Sequence, residues 1–250
     1  MRCGKVAEAI IGVIGGIGIG KSEFIRSMKK RRFSSKLRSI LVTPGEFKVY
    51  EESKGVKDIA ASVFYPAIKK KDKYKCFAAE IAMLNFRIQQ MLNASKENGI
   101  VMVERIPEEN RYVFFENDYK QGLFGPVKDR VAKYFYSSFS ATYMSLRNKV
   151  PTPDVFVYLD VKPEIALKRI RLRGRESEKG ISLAYLKNLY DLYQNLIDEI
   201  LPSQVPMYGN KLLRIDANKD MSEEDLKRFH VQIEERIVQT LKRQGWSLKE

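Results

Sequence analysis

Hydrophobic positions fall into two alternating kinds of segment along the chain. Five short runs, Ala9–Ile14, Ser39–Val42, Ile100–Val103, Val155–Leu159 and Leu212–Ile215, are nearly continuous and rich in β-branched or large apolar residues. Unbroken runs of this length suit strands covered on both faces, and the helical material between them predicts βαβ units. The expected architecture is α/β, a five-stranded parallel sheet flanked by helices on both faces, with one domain spanning residues 1–250.

The helices carry readable boundaries. Pro163 and Glu164 suit a first turn, Ala166, Leu167 and Ile170 supply an inner stripe, and Gly174 suits a stop. Ser222 with Asp225 resembles a capping box ahead of Leu226, Phe229, Ile233, Ile237 and Leu241 at helical spacing. The stretch from Phe77 to Leu92 predicts a helix with Ala78, Ile81, Leu84 and Ile88 as its apolar inner face. Glu80 and Arg87 lie close to two turns apart, so they share one side of that helix.

Between the first strand and the next helix stands Gly15-Gly16-Ile17-Gly18-Ile19-Gly20-Lys21-Ser22. Glycines at this spacing let the backbone curl around phosphate oxygens with its N–H groups pointing inward. Lys21 then reaches the β and γ phosphates, Ser22 ligates Mg²⁺, and the following helix adds the positive end of its dipole. The loop implies ATP or another nucleoside triphosphate with Mg²⁺. It leaves the reaction open, because many enzyme classes share it.

Other residues narrow the chemistry. Glu104 and Arg105 follow the third strand, where parallel sheets open onto their ligand crevice, so this pair is placed to meet Mg²⁺ and phosphate. A surface pairing of the two with each other is the alternative. After the fourth strand, Arg169, Arg171, Arg173 and Arg175 alternate with Ile170, Leu172 and Gly174. Phosphoryl transfer spreads negative charge over the moving group, and an arginine-rich lid neutralises that charge and expels water. A solvated basic helix end is the bland reading.

The charge balance of 45 Lys and Arg against 31 Asp and Glu, +14 overall, favours anionic partners. The runs Lys29-Lys30-Arg31-Arg32 and Lys69-Lys70-Lys71 are read as solvated faces, not nucleic-acid patches. Two cysteines, Cys3 and Cys76, are too few for a disulfide framework and point to a reducing, cytoplasmic setting. The apolar stretch from Ala9 to Ile19 is broken by glycines and too short for a membrane span, so no membrane partner is expected.

Together these residues resemble the deoxynucleoside kinase family, which contains deoxycytidine and deoxyguanosine kinases. The resemblance rests on the phosphate loop, on Glu104-Arg105 through Arg111-Tyr112-Val113-Phe114, and on the block from Pro153 to Leu186. It implies γ-phosphate transfer to the 5′-hydroxyl of a deoxynucleoside by a homodimer. It further implies that Glu104 helps hold Mg²⁺, that Arg105 contacts the reacting 5′ end and that Arg169, Arg173 and Arg175 are lid residues. Glu178 and Tyr65 would meet the sugar 3′-hydroxyl, Phe77 and Phe114 would sandwich the base, and Asp220 would lie near the donor's adenine. For either phenylalanine alone, core packing is the competing explanation.

The chain departs from the family pattern in two places. The general base normally follows the second strand in E-P-V-x-x-W, whereas this chain has Thr43-Pro44-Gly45-Glu46-Phe47, making Glu46 the nearest candidate. Where the family reads the base with Gln, this sequence has Glu80, and Asn110 replaces an Asp before Arg-Tyr; Arg87 is retained. An ionised carboxylate only accepts hydrogen bonds, so it suits the paired donors of guanine, with Arg87 donating to O6 and N7. A purine preference, deoxyguanosine first, follows; a protonated Glu80 would mimic Gln and restore cytosine or adenine recognition. A thymidylate-type nucleoside monophosphate kinase and a nucleotide-switched nucleic-acid-binding protein are the competing functional readings.

Overall fold

The computed structural model describes residues 7–30, 46–52 and 54–245. Strand β1 (Ala9–Ile14) is buried along its whole length and leads through the phosphate loop into α1 (Lys21–Lys30). Strand β2 (Glu46–Tyr50) precedes α2 (Lys54–Ile59), which continues through a π turn, Ala60–Phe64, into Tyr65–Lys69. Helix α3 (Lys73–Ala94) is capped by Asp72, which accepts from the Lys75 N–H at 3.1 Å. Strand β3 (Gly99–Glu104) runs into α4 (Pro107–Glu109), then a π turn, Asn110–Phe114, and Phe115–Lys120.

Asp129 caps α5 (Arg130–Arg147) by accepting from Val131 and Ala132. Strand β4 (Val155–Asp160) is followed by α6 (Pro163–Arg173), which ends at Gly174 in the left-handed region as its sequence predicts. Helix α7 (Leu183–Asn195) continues through a π turn, Leu196–Ile200, and Leu201–Gln204. After β5 (Leu212–Asp216), Ser222 caps α8 (Glu223–Arg243) by accepting from the Asp225 N–H.

All strand pairings are parallel, in the order β2-β3-β1-β4-β5. From β1 the chain runs to the edge strand β2 and back to β3 on one side, then crosses to β4 and β5 on the other, so the carboxyl end of β1 is a topological switch point and opens a crevice there. One core packs α1, α6 and α8 on the sheet through residues such as Phe24, Ile25, Ile170 and Ile237. The opposite face is covered by α3 and α5 through Leu84, Ile88 and Phe139, by the segment Phe115–Lys120 through Phe115, and by α7 through Leu189 and Tyr193.

Two sequence expectations need correction. The run Ser39–Val42 lies outside the described residues, and the strand that pairs with β3 is Glu46–Tyr50, carried by Phe47, Val49 and Tyr50. On α3, Ala78 is exposed and Ile81 only half-buried; the inward face is instead Cys76, Ala79, Glu80, Met83, Leu84, Arg87 and Ile88. The helix is turned so that two charged residues, rather than a purely apolar stripe, enter the interior. Among the described residues no helix is long and apolar enough to cross a membrane.

Candidate active site

The phosphate loop owes its shape to backbone freedom. Gly15 and Gly18 have φ of +135° and +76°. A Cβ at Gly15 would lie 2.3 Å from Ile19 Cδ1, and one at Gly18 would lie 2.8 Å from the Ala166 carbonyl oxygen. Lys21 is buried, and its ammonium donates to the carbonyl oxygens of Gly15 at 2.7 Å and Gly16 at 2.5 Å. Burial and the nearby Arg105 charge lower its pKa to about 7, with Glu104, Glu109 and Glu52 pulling the other way.

At the end of β3, Glu104 and Arg105 do not pair with each other. Ser22 Oγ donates to Glu104 Oε1 at 2.9 Å, and the Glu52 N–H donates to Glu104 Oε2 at 3.2 Å. Arg105 sits at φ +68°, a left-handed conformation uncommon for a side chain of this size, with its N–H donating to the Val13 carbonyl at 2.9 Å. Its guanidinium reaches Glu52 at 3.1 Å and Glu109 at 3.2 Å and donates to the Gly15 carbonyl at 3.2 Å. Glu109, fully buried, also accepts from the Gly15 N–H, the Ile106 N–H and the Tyr193 hydroxyl. One carboxylate therefore ties the phosphate loop, the β3 end and α7 together.

A further carboxylate at this end of the sheet is Glu52, two residues beyond β2. It lies 2.7 Å from Arg87 Nη2 and 3.1 Å from Arg105 Nε. Burial alone would raise its pKa, but the charges of Arg105 and Arg87 outweigh that and hold it at about 2. The backbone of Glu46, by contrast, opens β2 opposite Gly99, at the far end of the sheet from the phosphate loop. That position is a strand-length away from the crevice, so Glu46 does not stand where the sequence expected a base, and the carboxylate beside Arg87 and Arg105 is Glu52. The signal was present in the sequence: placing the strand on Phe47-Lys48-Val49-Tyr50 puts the carboxylate just past its end.

Beyond Arg87 lies a cluster of buried polar side chains. Glu80 and Asn110 are each 1% exposed, with Asn117 and Asp118 beside them. Arg87 Nε and Nη1, Glu80 Oε2, Asn110 Oδ1 and Asn117 Oδ1 are buried without a hydrogen-bond partner. Phe114 packs under this wall, with the guanidinium carbons of Arg105 and Arg87 at 4.8 and 5.7 Å from its ring centroid. Burial and the neighbouring Asp118 push Glu80 well above the usual carboxylate range, against the pull of Arg87 and Asn110. Burial likewise raises Asp118, to about 7. Phe77 does not join this cluster: its ring stacks on Phe135 at 4.2 Å and packs edge-on against Phe124 and Phe115, so core packing accounts for it.

On the lid side, Arg173 makes a two-nitrogen contact with Glu178, and Arg175 approaches the same carboxylate at 3.5 Å. Burial and, after it, the charge of Glu178 raise the Tyr65 phenol above its ordinary range. Arg169 instead donates to the carbonyls of Ala217 and Lys219 at 2.9 Å each, anchored to the loop after β5. A cavity of about 320 Å³ is bordered by Gly18, Gly20, Arg169, Arg173, Asp220 and Phe229, adjoining the phosphate loop. Asp220 itself pairs with Lys168 at 2.5 Å on its rim.

A family profile for deoxynucleoside kinases matches residues 11–239. The chain belongs to the deoxynucleoside kinase family. It is 32% identical over 126 residues to a deoxyadenosine kinase of Dictyostelium discoideum, covering 50% of this chain and 47% of that protein. A deoxyguanosine kinase of the same organism is 30% identical over 197 residues, 77% of this chain and 61% of that protein. Human deoxycytidine kinase is 26% identical over 156 residues, 60% of this chain and 56% of that protein. The matches thus span about half to three-fifths of these relatives' lengths, and the relatives' names cover adenine, guanine and cytosine nucleosides.

Proposed function

We propose that this kinase transfers the γ-phosphate of ATP to the 5′-hydroxyl of a purine deoxynucleoside. The observation that carries the reading is Glu52, an ionised carboxylate fixed by Arg87 and Arg105 at the same strand ends as the phosphate loop. Glu52 takes the proton of the 5′-hydroxyl, the oxygen forms a bond to the γ-phosphorus, and the bond from that phosphorus to the bridging oxygen breaks, leaving ADP. Arg105 lies between Glu52 and the loop, where it neutralises charge on the moving phosphoryl group, and Arg173 and Arg175 do so from the lid. Lys21 exchanges the Gly15 and Gly16 carbonyls for phosphate oxygens.

The hydroxyl of Ser22 and the carboxylate of Glu104, 2.9 Å apart, form a small all-oxygen donor set beside the loop. It suits Mg²⁺, which takes its remaining ligands from phosphate and water. Ser22 and Glu104 would hold the ion, which would supply charge neutralisation of the donor phosphates. On the acceptor side, Tyr65 and Glu178 hold the sugar 3′-hydroxyl, Phe114 supports the base, and Glu80, Arg87 and Asn110 read its edge. The two free N–H groups of Arg87 favour a purine, whose N7 offers an acceptor that pyrimidines lack, and guanine adds O6. Exposed Tyr74 and Phe86 on α3 and Tyr134 and Met144 on α5 support self-association into a dimer through these helices.

The test is a radiolabelled γ-phosphate transfer screen over deoxynucleosides, their monophosphates and water, with wild type and Lys21→Ala. Transfer to deoxynucleosides that is lost in the variant supports the reading. Transfer only to monophosphates would assign a nucleoside monophosphate kinase instead.

A further inference from the structure

The turn that follows β3 is held from two sides. On one side Glu109 accepts from the Gly15 N–H at 3.2 Å, the Ile106 N–H at 2.8 Å and the Tyr193 hydroxyl at 2.6 Å, and meets Arg105 Nη1 at 3.2 Å. On the other side the buried Glu108 lies 2.5 Å from Nε of Arg147, the last residue of α5. Arg147 is itself fixed by the segment leading into β4: its Nη1 donates to the Val150 carbonyl at 3.1 Å and its Nη2 to the Thr152 hydroxyl at 3.1 Å. Side-chain packing closes the same junction. Ile106 and Pro153 meet over Gly12 of β1, where an added Cβ would lie 3.1 Å from each. Tyr143, one turn before Arg147, packs edge-on against Tyr112 of the π turn at 5.5 Å.

Resting on the kinase reading above, we propose that Glu108 and Arg147 are positioning residues, whose ion pair fastens the turn after β3 to the end of α5 and so sets Arg105 and Glu109 in place against the phosphate loop. Arg105 holds a left-handed backbone at φ +68°, a conformation that persists only where its surroundings impose it. Its guanidinium must reach Glu52 and Glu109 from that backbone. Glu108 and Glu109 are adjacent along the chain, so a turn released at Glu108 carries Glu109 and Arg105 out of register with Gly15. An ion pair suits this task because it is directional: the planar guanidinium of Arg147 has one orientation that serves Glu108, Val150 and Thr152 together. A buried pair adds little net stability over apolar residues of the same volume, so its contribution here is geometric. A misplacement of about 1 Å at a group that meets the reacting atoms costs up to about 10²-fold in rate.

The experiment compares wild type with Arg147→Met, Glu108→Gln and the double variant Glu108→Leu with Arg147→Met, all on the full chain. Steady-state kinetics with ATP and a deoxynucleoside, thermal melting, and ¹⁵N NMR of the Arg105 Nε–H signal without substrates are measured, the signal being assigned by its loss in Arg105→Lys. Arg147→Met should lower kcat about 10- to 100-fold, leave KM for both substrates within about threefold, and shift the Arg105 signal. Glu108→Gln keeps an oxygen opposite Arg147 and should hold kcat within about threefold of wild type. The double variant has no unpaired buried charge, so it should melt at or above the wild-type temperature and still show the loss of kcat and the shifted signal. That combination separates positioning from stability. A double variant with wild-type kcat, or an Arg105 signal unmoved in it, overturns the proposal. If wild type transfers phosphate to no deoxynucleoside, the kinase reading falls and the Arg105 signal alone decides this one.

Discussion

Arg87 Nη2 lies 2.7 Å from Glu52 Oε1, joining the wall that reads the base to the carboxylate that faces the phosphate loop. The pairing keeps Glu52 ionised in a buried setting, the state a general base requires. Glu52→Gln should lower kcat by roughly 10²–10⁴-fold with a much smaller change in KM. Glu46→Gln should leave kcat near wild type. Steady-state kinetics on both variants decides between the two positions.

Glu109 is expected to be structural and catalytic at once. Glu109→Ala strips one of the two carboxylate partners from Arg105 and the acceptor from the Gly15 N–H and Tyr193, leaving buried donors unpaired, at a cost of about 3–5 kcal/mol. Tyr193→Phe removes two hydrogen bonds of the same network, the one its hydroxyl donates to Glu109 and the one it accepts from Arg105, and should cost about 1–2 kcal/mol. Urea unfolding measures both, and equal effects would contradict the assigned hierarchy.

Tyr65 and Glu178 are expected to recognise the sugar. Tyr65→Phe and Glu178→Gln should each reduce kcat/KM for a 2′-deoxynucleoside by about tenfold while barely affecting the 2′,3′-dideoxy analogue. A loss of the same size with both substrates would move these residues out of the sugar site.

Stability should depend on pH through Asp118. Its folded pKa is raised from 3.8 to about 7 by burial, so between those values the folded chain binds a proton that the unfolded chain has released. That contribution is complete below about pH 4 and is lost as pH rises through about 7. The melting temperature should fall across this window and level off above it, and Asp118→Asn should flatten the profile.

The exposed apolar residues on α3 and α5 bear on assembly. Tyr74→Glu combined with Met144→Glu places charges on that face without touching the crevice and should convert a dimer to a monomer in sedimentation. A wild-type monomer at micromolar concentration would remove the basis for the prediction.

Much of the fold was legible because β1, β3 and β4 are continuous apolar runs and several helices carry a local cap. β1 matches its expected limits, and Gly174 and Ser222 end and begin helices where their chemistry says they should. The phosphate loop was equally plain, since its glycines and Lys21-Ser22 are contiguous. The strand that pairs with β3 was not picked out because Lys48 interrupts its apolar pattern, so the carboxylate singled out was Glu46 and not Glu52. Glu109 and Asp118 went unnoticed for a different reason: burial and partners from distant segments make them important, and neither leaves a mark in local spacing. Phe77 illustrates the limit of pattern matching, because an aromatic at a matching position is claimed here by Phe135 and Phe124.

The ammonium of Lys21, folded back on the carbonyls of Gly15 and Gly16, rehearses the contact that a phosphate will make. The loop is consequently held in a receptive curl by its own lysine, and an arriving triphosphate competes with backbone oxygens instead of filling an unmet need. Donor affinity at this point is a difference between two satisfied states. A weak grip on the departing diphosphate and a readily renewed loop follow from the same contact.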